Sequence, residues 1–182
     1  MATTVKTKAK KAEERKKKPT HKPASKHAAG TVNAITLLEK DHREVEDYFE
    51  EYEDLEDDKA KAELSAKICL ALKVHTQIEE ELFYPPARKA TKDDDLLDEA
   101  VVEHAGAKHL IAEIEAMKPG DDLYDAKIKV LGEQIKHHVK EEEEELFPET
   151  EQSDLDLVAV GKQLAARKEE LMAKLSAKAP KH

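Results

Sequence analysis

The sequence predicts an all-α protein: an up-down-up-down four-helix bundle with an additional C-terminal helix and a disordered basic N-terminal tail. Three observations carry that reading. Composition comes first, since 40% of the 182 residues are charged, only five are Gly and none is Trp, which suits helices with one narrow apolar face each. Second, apolar residues recur at helical spacing through five segments joined by short connections, so that successive helices are antiparallel neighbours. Third, a histidine–carboxylate pattern occurs twice. His42 is followed 33 residues later by His75-Thr-Gln-Ile-Glu79, and His104 is followed 34 residues later by His138-Val-Lys-Glu-Glu142. Such a repeat implies approximate two-fold symmetry.

Three regions follow. Residues 1–29 read as a Lys-rich tail, 30–150 as the bundle, and 151–182 as a C-terminal helix with a short tail. The first helix is expected over about 31–53, capped by Thr31 or Asn33, with Ile35, Leu38, Val45, Phe49 and Tyr52 as its apolar stripe and His42 in the middle. A second covers about 58–84, with Leu64, Ile68, Leu72, Ile78 and Leu82 around His75 and Glu79, and Pro85-Pro86 ending it. The third covers about 93–117. Asp93, Asp94 and Asp95 stand near its start, where the helix dipole favours anions, and Pro119-Gly120 closes it. In that helix Leu97, Val101, Ala107 and Ile111 bracket His104. The fourth covers about 121–146 and is expected to stop before Pro148. The last, about 154–177, carries Leu157, Val160, Leu164, Leu171 and Leu175 but no histidine, and is expected to pack outside the bundle or mediate self-association.

Helical phase sorts the histidines. At 100° per residue, Leu131, Ile135, Glu142 and Leu146 lie within about 80° of His138 on one side, so His138 is inside the apolar arc. His137 and His109 fall on solvent faces, and His21, His27 and His182 lie in tails. Four of nine histidines thus face the core, each on a different helix. On a helix, i and i+4 share a face, so Glu79 and Glu142 point inward with His75 and His138. A buried Glu is costly unless paired or coordinated. The four imidazoles and two carboxylates therefore form a ligand set for two metal ions, and mixed carboxylate and imidazole donors suit iron, manganese or zinc. Most of Glu80, Glu81, Glu141, Glu143, Glu144 and Glu145 read as surface charge.

The charge of −10 is uneven. Ten Lys/Arg against Glu13 and Glu14 give residues 1–29 a net +8, leaving −18 for the rest. An acidic body argues against nucleic acid binding by the bundle itself; the tail is where nucleic acid or another polyanion would be held. The lone Cys69, in an apolar run, reads as a buried inert thiol and fits a reducing, cytoplasmic setting. No apolar run approaches the length of a membrane span. The absence of a Gly-rich phosphate loop, and of a Ser or Cys nucleophile beside a base, leaves nucleotide and hydrolase readings without support.

Asp41-His42, His75-xxx-Glu79-Glu80 leading to Phe83-Tyr84-Pro85, Glu103-His104, and His138-xxx-Glu142-Glu143 leading to Leu146-Phe147-Pro148 resemble the hemerythrin-like, or HHE cation-binding, family over about residues 33–150. That resemblance implies a four-helix bundle holding a non-haem di-iron centre with an oxo or hydroxo bridge: His42 and His75 on one iron, His104 and His138 on the other, Glu79 and Glu142 bridging. Where oxygen-carrying members have a fifth histidine, one turn after the counterpart of His104, this chain has Lys108, expected to neutralise a carboxylate or bound anion. With two histidines per iron, both irons keep an open position. The resemblance then implies a protein that binds oxygen or a related small oxidant in sensing, scavenging or storage. The alternatives are a peroxidase- or catalase-like enzyme acting on peroxide, and a metal-stabilised structural or regulatory bundle acting through its basic tail.

Overall fold

The computed structural model describes residues 32–91 and 94–177. Within them the chain is helical: α1 (Ala34–Glu53), α2 (Asp58–Ile78), a π turn (Glu79–Phe83), α3 (Tyr84–Thr91), α4 (Asp94–Glu115), α5 (Tyr124–Glu141), a second π turn (Glu142–Leu146), α6 (Phe147–Gln152) and α7 (Leu157–Ser176). Each π turn runs straight on from one α segment into the next. There are therefore five continuous helical rods, four forming the bundle and α7 lying outside it against α1 and α2.

Local chemistry sets the starts. The Asn33 side chain accepts from Ile35 N at 2.9 Å and caps α1. Asp57 and Asp156 likewise cap α2 and α7, accepting from Ala60 N and Ala159 N. Asp94 and Asp95 occupy the first turn of α4. The expected cap Thr31, the residue Asp93 and the basic tail lie outside the described residues. Gly120, at φ 88°, makes the left-handed turn after α4.

Two expectations about proline are corrected. Pro85-Pro86 does not end the second rod, and Pro148 does not end the fourth. At each place the chain first makes one wide turn, with Tyr84 N–H reaching back to Glu79 O and Phe147 N–H to Glu142 O. The prolines then fall in the first turn of the next α segment, where a missing N–H is tolerated and the rod continues.

The core has two apolar layers. One gathers Leu38, Ile78, Phe83, Leu97, Leu146, Phe147 and Leu164. The other gathers Val45, Ile68, Leu72, Ile111, Leu131 and Ile135. Between them, at one level on four helices, sit His42, His75, His104 and His138, all buried. Val101, expected beside His104 in the core, is 42% exposed. It lies at the edge of the apolar arc, and Ala100 takes the buried place. Cys69 is buried and free, and burial pushes its thiol up to about 12, so it is inert as expected.

The packing of α7 depends on Gly161. A Cβ there would stand 2.6 Å from Val32 O and 2.7 Å from Ala34 N, so the helix reaches the start of α1 only because the side chain is absent. Leu164 and Leu171 fill the interface, and Lys168 pairs with Asp41. No described helix is long and apolar enough to cross a membrane.

Candidate metal centre

Four imidazole Nε2 atoms converge on two buried carboxylates. His42 Nε2 lies 3.1 Å from His75 Nε2, and His104 Nε2 lies 3.0 Å from His138 Nε2. Glu79 Oε2 reaches across both pairs, 3.1 Å from His75 Nε2 and 3.4 Å from His104 Nε2. Glu142 Oε2 does the same from the other side, 3.3 Å from His42 Nε2 and 3.5 Å from His138 Nε2. All six residues singled out in the sequence are thus brought together, in two halves linked by the two carboxylates. His42, His75, Glu79 and Glu142 could hold one ion; Glu79, His104 and His138 could hold another.

The outer nitrogens are equally organised. Nδ1 of His42 lies 2.8 Å from Glu143 Oε1, Nδ1 of His104 lies 3.0 Å from Glu80 Oε1, and Nδ1 of His138 lies 2.8 Å from Glu103 Oε2. His75 Nδ1 faces Asp41 Oδ2 at 3.7 Å. The three hydrogen-bonded carboxylates favour Nδ1–H and turn Nε2 of His42, His104 and His138 toward the centre. Cations sit behind three of the four outer carboxylates: Lys168 on Asp41, Arg43 on Glu143 and Lys108 on Glu80. Glu80 and Glu143 are therefore partly buried and engaged with the centre, the two exceptions among glutamates read mostly as surface charge. The signal was in the repeat, because each directly follows a core glutamate and each of Asp41 and Glu103 directly precedes a core histidine.

Aromatic rings close the site above. Tyr84 stacks on His104 at 5.5 Å and Phe147 on His42 at 5.7 Å between centroids. The Tyr84 hydroxyl donates to Glu142 Oε1 at 2.9 Å and lies 3.3 Å from His104 Nε2. Below, a cavity of about 10 Å³ is bounded by His42, His75, His104, His138, Leu72, Thr76 and Ile135, room for about one water-sized molecule. From outside, a groove of about 310 Å³ between α4 and α5 reaches His104 and His138 past Gly106 and Gln134.

The charges are unsettled without a cation. Burial alone drives imidazoles to neutrality, and it wins at His104, which burial and the His138 charge push down to about 2. At His75 burial is outweighed by the Glu79 and Asp41 carboxylates, which push it up to about 10. His138 rises to about 9, burial being outweighed by Glu142 and Glu103. Burial and the charge of Glu142 raise Glu79, whereas Glu142 is held well below the carboxylate range because His138, His42 and His75 outweigh its burial. Glu79 Oε1 and Oε2, Glu142 Oε2, Asp41 Oδ2 and His75 Nδ1 are buried without a hydrogen bond. Buried carboxylate oxygens without hydrogen bonds, beside four converging imidazole nitrogens, are what a divalent or trivalent cation satisfies, so the residues present fit such a group.

A domain profile described as Hemerythrin HHE cation binding domain matches residues 33–150. The chain belongs to this hemerythrin HHE family. Among solved structures, a hemerythrin HHE cation binding domain-containing protein from Mycobacterium kansasii superposes with a TM-score of 0.70 at 21% identity, over 81% of this chain and 91% of that one. That likeness speaks for the fold. Among curated proteins, a DNA nickase of Nostoc sp. is 28% identical over 116 residues, 64% of this chain and 33% of the relative. The HHE chain thus spans about a third of that relative's length. Within the family pattern, His109 and His137 stand apart as expected, with side chains 78% and 59% exposed. Lys108, in the place of a fifth histidine, turns to Glu80 and not to the centre.

Proposed function

We propose that this HHE domain is a non-haem di-iron protein that binds oxygen or a related small oxidant, in sensing, scavenging or storage. The observation that carries this is the pair of buried carboxylates, each with Oε2 within 3.5 Å of one imidazole from either half and without a hydrogen bond. His42 and His75 would hold one ion, His104 and His138 the other, and Glu79 and Glu142 both. Iron there supplies reversible one-electron chemistry and affinity for small oxygen ligands. The protein's own part is to fix His42, His104 and His138 through their Nδ1 carboxylates, to keep bulk water out with Phe83, Leu146 and the ring stacks, and to leave the small cavity and the α4–α5 groove for a diatomic visitor.

A peroxidase- or catalase-like role is the second reading. The engagement of Lys108 with Glu80 favours it, since each half then has two imidazoles and keeps a position open. Peroxide consumption by the iron-loaded chain, abolished in Glu79→Ala and Glu142→Ala, supports the enzyme. Reversible oxygen binding without peroxide turnover supports the carrier or sensor. Loss of neither iron nor ligand binding in those variants contradicts both.

The basic segment 1–29 suggests a partner outside the bundle. Its net +8 beside a body of −18 suits a polyanion such as nucleic acid, held electrostatically. Deleting residues 1–29 should then abolish salt-sensitive binding to duplex DNA; unchanged binding contradicts this.

A further inference from the structure

The two halves of the centre carry the same core histidines and glutamates but differ at the aromatic after each π turn. Tyr84 follows the first and Phe147 the second, and each ring stacks on a core histidine. Tyr84 is 3% exposed, and its hydroxyl, within 3.5 Å of one bridging carboxylate and one imidazole, has no counterpart on Phe147. The consequence falls on the glutamates. Glu142 Oε1 accepts from Tyr84 at 2.9 Å, which leaves only Oε2 unpartnered. Glu79 has no hydrogen bond at either oxygen, its Oε2 facing Nε2 of His75 and His104.

We infer that Tyr84 is a positioning residue that makes the two bridging carboxylates unequal: Glu142 meets the metal ions through Oε2 alone, and Glu79 meets them through both oxygens. This rests on the di-metal reading above. Tyr84 thereby fixes which oxygen of Glu142 faces the ions, on the side where its hydroxyl lies 3.3 Å from His104 Nε2. The tyrosine–carboxylate bond is buried, where hydrogen bonds to a charged acceptor are strongest.

The test uses the full chain loaded with Zn²⁺, read by infrared difference against the metal-free chain with ¹³C-carboxyl glutamate. A carboxylate bound through one oxygen separates its symmetric and antisymmetric stretches widely; one bridging through both separates them narrowly. The wild type should show one pair of each kind. Tyr84→Phe should convert the wide pair to a narrow one while still binding two ions, since Phe147 shows that a bare phenyl fits this environment. Phe147→Tyr should do the converse to Glu79, and it keeps the question decidable if Tyr84→Phe folds poorly. A purely structural role for Tyr84 would change melting but not the stretches. Unchanged stretches in both variants overturn the inference. Failure of the wild type to bind two zinc ions would instead count against the di-metal reading.

Discussion

Lys108 Nζ stands 2.6 Å from both oxygens of Glu80, and the same carboxylate holds His104 Nδ1 at 3.0 Å. The residue that departs from the oxygen carriers' ligand set thus serves the centre at one remove, by fixing the partner of a core histidine. Glu80→Ala removes that partner and should weaken metal binding by roughly 10–100-fold, read by competition with a coloured chelator. Lys108→Ala should cost less, because Lys108 is 41% exposed and the Glu80 carboxylate stays in place. Equal loss in the two variants would make Lys108 more than a support.

His42→Ala and His138→Ala should lower iron content and stability together. Each leaves Glu142 and an outer carboxylate short of a partner in a buried space, a cost of about 1–3 kcal/mol before any metal is counted. His109→Ala and His137→Ala should keep full iron, because both side chains face solvent. Elemental analysis of the four purified variants checks this; loss of iron in His109→Ala contradicts the geometry.

The pH dependence of the metal-free chain and of metal binding should run in opposite directions. His75 is raised to about 10 and His138 to about 9. Their contribution to folding is therefore complete below the ordinary histidine value and is lost as pH rises through those values. An ion must displace these same protons, so metal affinity rises over that range. Melting temperatures of the metal-free chain should fall from about pH 7 to pH 10 while zinc affinity climbs. Parallel trends contradict the assigned protonation.

Gly161→Ala tests the seat of α7. Helix propensity alone favours alanine by about 1 kcal/mol. The added Cβ, however, meets backbone of Val32, Asn33 and Ala34 at 2.6–2.8 Å, which cannot yield as a side chain would. The net effect should be a loss of about 1–3 kcal/mol, seen in urea unfolding. A gain in stability would mean that α7 does not dock this closely.

Much of this was legible from local rules. The 3.6-residue period put His42, His75, His104 and His138 inward and His109 and His137 outward, because burial of a narrow apolar stripe fixes helix phase. The limits of those rules are equally physical. Proline reads as a stop because an α turn needs its N–H, yet a single π turn at Glu79 and at Glu142 removes that requirement. Helical phase did not single out Glu80 and Glu143 from the acidic runs, because their carboxylates reach Nδ1 atoms on other rods across the bundle. Tyr84 was visible as part of a family pattern, but its bond to Glu142 spans 58 positions of sequence and follows only from packing. Val101 read as core because periodicity alone does not choose between neighbours at the edge of an apolar arc, where Ala100 is the buried one.

The most direct measurement is iron content with an absorption spectrum of the purified chain, as isolated and after cycling through reduction and air. Binding between His42/His75 and His104/His138 with shared glutamates predicts about two irons per chain, with near-ultraviolet oxo-bridge bands that bleach on reduction and return in air. A chain that takes no iron, or one zinc that ignores oxygen, would contradict the account.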